Sequence, residues 1–275
     1  KTYSASLGSP VLIEKSKNPD GEVTVNYLDS GENPPMGVPI YFYLDSEIDK
    51  AELIIKDTKD KILKSFSNED KKRKETKVTK SFLPSKKENK FNPKKGFNTF
   101  VWDMYCEGPY KLEGEKLTEG LSGPMALPGI YNVEIITSNK NKSNSLKTEI
   151  TLIKDPRVSA SRKDLEDQFN LIQKVNQKLS ELHKNVEVIR QNQSEISDWI
   201  SRSENNANYN KIKSDGDKLI KTLKDIENLL VFTDYKGARD RLNNPVVLNV
   251  KLAGLLPVLD SADFKTTDQM EYILK

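Results

Sequence analysis

A chain of 275 residues is long enough for two domains of ordinary size. Its hydrophobic fraction of 35% is low and its charged fraction of 31% is high, which implies small cores and much solvated surface. No stretch approaches the ~18 consecutive apolar residues of a membrane-spanning helix, and the formal net charge of +3 hides an uneven distribution. The sequence begins at Lys1 without a signal-like apolar stretch and reads as a mature chain or a fragment of a longer one.

Before Asp155-Pro156 apolar residues alternate in short runs bounded by Gly, Pro and Asn, the pattern of strands. Pro19-Asp20-Gly21 predicts a turn into a strand at Val23–Tyr27. Asn33-Pro34-Pro35 leads to an aromatic strand at Pro39–Leu44, with Tyr41 and Tyr43 on one face and Phe42 and Leu44 on the other. Ala51–Asp57 and Ile62–Phe66 form a pair around a Lys59-Asp60 turn. Further strands are expected at Asn98–Asp103, Gly129–Ile136 and Lys147–Ile153. About seven short antiparallel strands suggest a two-sheet sandwich.

Between that pair and the next strand lies the run 71–95, eleven Lys or Arg against Glu75 and Glu88. Its net of +9 leaves −6 for the rest of the chain. The run is mostly Lys, with Phe82 and Phe91 its aromatics, so a solvated loop is preferred to a polyanion-binding patch.

After the junction the period changes to three and four for about seventy positions, which predicts helices packed along a seam. Ser161 with Asp164 three residues on makes a capping box. The first helix carries the stripe Leu165, Phe169, Ile172, Asn176, Leu179, Leu182 or His183, Val186, Ile189, Ile196 and Ile200. A connection at 201–208 leads to a second helix with the seam Ile212, Gly216, Leu219, Leu223, Ile226 and Leu230. So short a connection makes the two antiparallel. Asn244-Pro245 is expected to start a third helix through Leu248, Leu252, Leu255 and Leu256, and Thr266 or Thr267 a fourth. That last pattern stops at Lys275 with no C-cap signal, as if cut there. Residues 159–231 hold twelve basic and twelve acidic side chains, a balanced face rather than a polyanion footprint.

The fold expected is therefore multidomain β + α: an antiparallel sandwich over 1–155, with 71–95 as a basic loop insert, and an antiparallel helical hairpin or bundle over 156–275. Few residues point to chemistry. His183 is the sole histidine, so a zinc site or a Ser-His-Asp triad would have to be built on it; a helix-surface or seam-edge position is expected instead. Cys106 is the sole cysteine, which excludes an intrachain disulfide and leaves the compartment open. Trp102 is expected in the core rather than as a sugar platform. No catalytic, cofactor-binding or metal-binding residue is assigned, and no cofactor is expected.

Two motifs go further. Gly96-Phe97-Asn98-Thr99-Phe100-Val101-Trp102-Asp103, followed by Gly123-Pro124-Met125-Ala126-Leu127-Pro128-Gly129-Ile130-Tyr131, resembles the paired motifs of immunoglobulin-like domains of the flagellar hook-capping type. Over about 30–275, these motifs with Asn33–Leu44, the 51–66 pair, the junction Lys154-Asp155-Pro156-Arg157-Val158 and Asp164-Leu165…Gln168-Phe169 resemble the C-terminal region of bacterial sortilin-type β-propeller proteins, often labelled glycosyl hydrolases. The chain departs from that pattern in the 71–95 insert and in lacking the propeller.

The resemblance implies an exported protein, periplasmic, on the outer surface or extracellular, with a propeller domain of the same or another protein as partner. It transfers no catalytic residue. The leading expectation is a non-catalytic accessory region acting by packing and partner contact through a rigid elbow at Asp155-Pro156. The alternative is a carbohydrate-binding module with Tyr3, Tyr105 and Tyr110 as its platform. A glycosidase built on Asp103, Glu107, Glu113 and Glu115 ranks third. Glycan is thus a possible partner, and neither nucleic acid nor a membrane span is expected.

Overall fold

A computed structural model describes residues 2–4, 13–17, 23–28, 34–69, 91–113, 121–139, 142–231, 243, 244 and 246–272. The chain is mixed α/β, with antiparallel sheets followed by helices. Three short strands, β1 (Thr2–Ser4), β2 (Ile13–Lys17) and β3 (Val23–Tyr27), form a meander. The first two were not foreseen, because neither run alternates over a long enough window to stand out. The turn at 19–21 and most of the basic run, 71–90, lie outside the described residues.

β4 (Val38–Leu44) pairs with β7 (Gly96–Trp102), while β5 (Lys50–Asp57), β6 (Ile62–Ser67), β8 (Gly129–Asn139) and β9 (Lys142–Leu152) form a sheet in the order β6-β5-β8-β9. The two layers share one core. Leu53 and Ile55 of β5 and Val133 and Ile135 of β8 alternate inward, against Ile40, Phe100 and Trp102 of the facing ladder. Aromatic rings cross the gap edge-on: Phe66 to Phe100 at 4.7 Å and Trp102 to Tyr131 at 6.0 Å. Trp102 is fully buried, as the core reading expects.

Turn chemistry sets the pairings. The Asp57 carboxylate accepts the amides of Lys59 and Lys61, holding the tight connection in which Asp60 takes φ 61°. At the mouth of β4, Gly37 has φ 139°, and a Cβ there would lie 2.2 Å from the Trp102 carbonyl oxygen. Only glycine fits both demands.

The junction is tightly bonded. Arg157 makes a two-pronged contact with Asp155, its guanidinium as close as 2.6 Å, and its backbone amide donates to the same carboxylate. These bonds draw the Asp155 carboxyl down to about 2. Lys154 donates to the Ala160 carbonyl, Ser161 and Asp164 complete the capping box, and Arg162 donates to the Pro128 carbonyl at the entry to β8.

Among the described residues four helices follow: α1 (Arg162–Arg202), α2 (Tyr209–Leu230), α3 (Leu248–Leu259) and α4 (Asp268–Tyr272). α1 is the shared member. Its first half packs Leu171, Ile172, Val175 and Leu179 against Ala253, Leu256 and Leu259 of α3. Its second half runs antiparallel to α2, with Gly216 set against Ile196 and Ile200, and Arg190 bonded to Glu227 at 2.7 Å. The third helix differs from expectation: it begins at Leu248 with Val247 as N-cap and no side-chain cap, so Asn244 does not cap it.

A second difference concerns the α2 seam. Leu219 and Ile226 were expected to face α1 but are 56% and 43% exposed. A straight helix drifts about 20° per heptad from a 3.5-residue repeat, and among the described residues α2 packs mainly against α1 and touches α3. No helix among the described residues is long and apolar enough to cross a membrane.

Candidate functional site

The segments after β7 and before β8 form a strap between the sheets and α1. Cys106 donates its amide to the Pro124 carbonyl and Ala126 its amide to the Met104 carbonyl, closing the strap on itself. Gly123 passes so close that a Cβ there would lie 2.4 Å from the Cys106 carbonyl oxygen. Glu107 donates its amide to Leu63 of β6, which fastens the strap to the sheet.

Tyr110 fastens its other side to α1. The Tyr110 amide donates to Ser180 Oγ at 2.9 Å, its hydroxyl donates to Glu187 at 2.7 Å, and its carbonyl accepts His183 Nδ1–H at 2.5 Å. His183 is fully buried. The expectation of a helix-surface or seam-edge histidine is therefore corrected: the strap covers this position, and a ring nitrogen meets a strap carbonyl. Nearby, Leu112 packs with Leu182, Val186 and Val231.

Tyr105 makes the second tie. Its hydroxyl donates to Asp260 at the end of α3 at 2.8 Å, and its carbonyl accepts the Trp102 indole N–H at 3.1 Å. Burial, and then the bond to Asp260, push the phenol well above its ordinary acidity constant. Of the three tyrosines nominated as a platform, Tyr105 and Tyr110 thus hold the sheet–helix contact. Tyr3 lies in β1, and its side chain is outside the described residues.

Three of the four carboxylates of the glycosidase reading lie among the described residues. Asp103 folds back to accept the Tyr105 amide at 3.2 Å, Glu107 and Glu113 are exposed, and Glu115 lies outside the described residues. A depression of about 310 Å³ on the four-stranded sheet is lined by Lys56, Asp60, Glu134 and Lys147 among others, and by none of those four. Within it, Glu134 accepts from Lys56 at 2.7 Å and Ser145 at 2.8 Å, with Lys147 at 3.2 Å. The bonds from Lys56 and Ser145, opposed by burial and aided by Lys147, draw its carboxyl down to about 2. So acidic a group keeps no proton to donate as a general acid near neutrality.

Burial pushes the Cys106 thiol up to about 11, against the pull of Lys64 and Lys61, so it is a poor nucleophile. Among the described residues, no group of three or more His, Cys, Asp and Glu is placed to hold a metal ion.

One aromatic surface escaped the sequence reading as a site, although its alternation was legible. On the open face of the β4–β7 ladder, Tyr41, Tyr43 and Phe97 are 61%, 62% and 71% exposed. Tyr43 is the direct cross-strand neighbour of Phe97, and the Tyr41 and Phe97 rings lie 5.9 Å apart with planes 19° from parallel. No protein family, curated protein or solved structure matches the chain.

Proposed function

We propose that this chain is a non-catalytic accessory region of an exported, propeller-containing protein: an immunoglobulin-like sandwich bearing a helical appendage, working by packing and partner contact. The observation that carries the reading is the strap, in which Tyr110 bonds α1 through its amide, carbonyl and hydroxyl while Glu107 bonds the sheet. Residues that would be free in a reactive loop are spent on joining two architectures. The two facing layers around Trp102 support the immunoglobulin-like assignment, and the order of motifs over 30–275 supports the propeller context.

Two measurements test this. The strap makes sheets and helices one cooperative unit, so thermal unfolding followed in the far ultraviolet and by tryptophan fluorescence gives one coincident transition; two separated transitions overturn the joining role. Turnover of any polysaccharide or glycoside by this chain overturns the non-catalytic reading. An open reading frame with no propeller overturns the proposed context.

The exposed rings of Tyr41, Tyr43 and Phe97 favour a second reading, in which the β4–β7 face stacks against sugar rings. It replaces the Tyr3, Tyr105 and Tyr110 platform with one on a flat strand surface. Glycan-array binding that falls on Phe97→Ala supports it, and a flat array removes it.

A further inference from the structure

The two margins of the four-stranded sheet end differently. At β6 the strap closes the edge, since Glu107 donates its amide to the Leu63 carbonyl, and the β5–β6 register shifts between Ile55 and Lys56. At β9 the eleven residues pair with β8 in one unbroken register, with no proline and no bulge. Among the described residues no further backbone hydrogen bond reaches β9, and every residue from Ser143 to Glu149 is exposed. An edge strand turns a row of amides and carbonyls away from its sheet, so β9 is a template for another strand.

The side chains of β9 limit which strand fits. Leu146 lies opposite Ile135 on the inward face, yet it is 48% exposed, and Ile150 lies farther along the same face. On the outward face Lys147 lies opposite Glu134, and Glu149 opposite Asn132. Lys147 meets Glu134 at 3.2 Å while its side chain stays 72% exposed, so it has room for a second carboxylate. A lysine in the middle of an edge ordinarily discourages an incoming strand. Glu149, two residues on, removes that obstacle for a strand presenting the same pair in the opposite direction.

We propose that β9 pairs antiparallel with β9 of a second copy, about a twofold axis through Thr148 that joins the two four-stranded sheets into one. The axis is perpendicular to the sheet, so inward residues meet inward residues. In this register Lys147 lies opposite Glu149 of the second copy, and Glu149 opposite the second copy's Lys147. Leu146 meets Ile150 of the second copy, which gives the exposed leucine an apolar neighbour, twice per dimer. Charge selects this register over its neighbours. Centring on Lys147 or Glu149 sets like charges face to face, and centring on Leu146 puts Lys147 opposite Ser145. The overlap runs from Asn144 to Leu152, a ladder about 30 Å long. Paired edges bury little surface, so the dimer belongs to the weak, exchanging class.

Sedimentation equilibrium of the chain from about 5 to 500 µM tests the proposal. The expected result is a monomer–dimer equilibrium, the monomer being 31.2 kDa. Glu149→Lys sets two lysine pairs across the axis and is expected to weaken dimerisation about tenfold or more. Lys147→Glu sets two glutamate pairs there and weakens it likewise. Mixing the two variants restores association, because every Lys then faces a Glu, and misfolding cannot mimic that recovery. A wild-type monomer throughout the range overturns the proposal and leaves the edge to a strand of another protein. A dimer that Glu149→Lys does not weaken, or variants that stay apart on mixing, also overturns it, since another surface or register then holds the copies. The proposal does not rest on the accessory reading, which a monomeric result leaves untouched.

Discussion

His183 Nδ1–H donates to the carbonyl of Tyr110 at 2.5 Å, across 73 residues of sequence. This bond joins the strap after β7 to the middle of α1, and both partners depend on it. The imidazole has no exposed surface, and a part-buried carbonyl that loses its donor bears part of its desolvation penalty.

His183→Ala therefore leaves a cavity and an unmet carbonyl together. It is expected to destabilise the chain by about 3 kcal/mol. Tyr110→Phe removes only the surface bond to Glu187 and should cost less than about 1 kcal/mol. Urea denaturation of the two variants checks the contrast; equal losses would place the weight on the Tyr110 hydroxyl instead.

Gly37→Ala adds a Cβ 2.2 Å from the Trp102 carbonyl oxygen at φ 139°. Neither backbone has room to yield inside the β4–β7 ladder, so the expected loss is about 2–4 kcal/mol. Gly254→Ala in α3 is the control, with nothing within 4 Å of the added carbon. Helix propensity there predicts a gain of up to ~1 kcal/mol. Thermal midpoints of both variants give the comparison.

The acid limb of stability should carry the signature of Glu134. Its carboxyl ordinarily ionises near 4.5 and is drawn to about 2 by Lys56 and Ser145 in the folded chain. The folded state therefore binds fewer protons than the unfolded state across that window. The contribution is complete above pH 4.5 and is lost as pH falls toward 2. Urea midpoints at pH 6 and pH 3 are expected to lie closer together for Glu134→Gln than for the wild type. An unchanged gap would exclude Glu134 as a source of the acid sensitivity.

At the elbow, Ser161 and Asp164 satisfy each other's backbone amides at the start of a 41-residue helix. Ser161→Ala or Asp164→Ala should each cost about 1 kcal/mol. The double variant should cost less than the sum, because either change opens the same reciprocal box. A double-mutant cycle by chemical denaturation measures that coupling.

The sequence by itself determined most of the element types, β1 and β2 excepted. Alternation at Pro39–Leu44, Ala51–Asp57 and Gly129–Ile136, the period of three to four after Ser161, and the capping pair Ser161–Asp164 are all local signals, set by which way side chains point along a strand or helix. Tertiary structure alone decided what those elements meet. Whether Tyr105 and Tyr110 are a platform or a clasp depends on Asp260, 155 residues from Tyr105, and on Glu187, 77 residues from Tyr110. Whether Leu219 and Ile226 are seam or surface depends on how many helices surround α2, which no local spacing encodes. His183 shows the same division: its place on the stripe was legible, but its burial comes from a loop that folds back over it. Periodicity is a property of neighbours along the chain, whereas partnership belongs to neighbours in space.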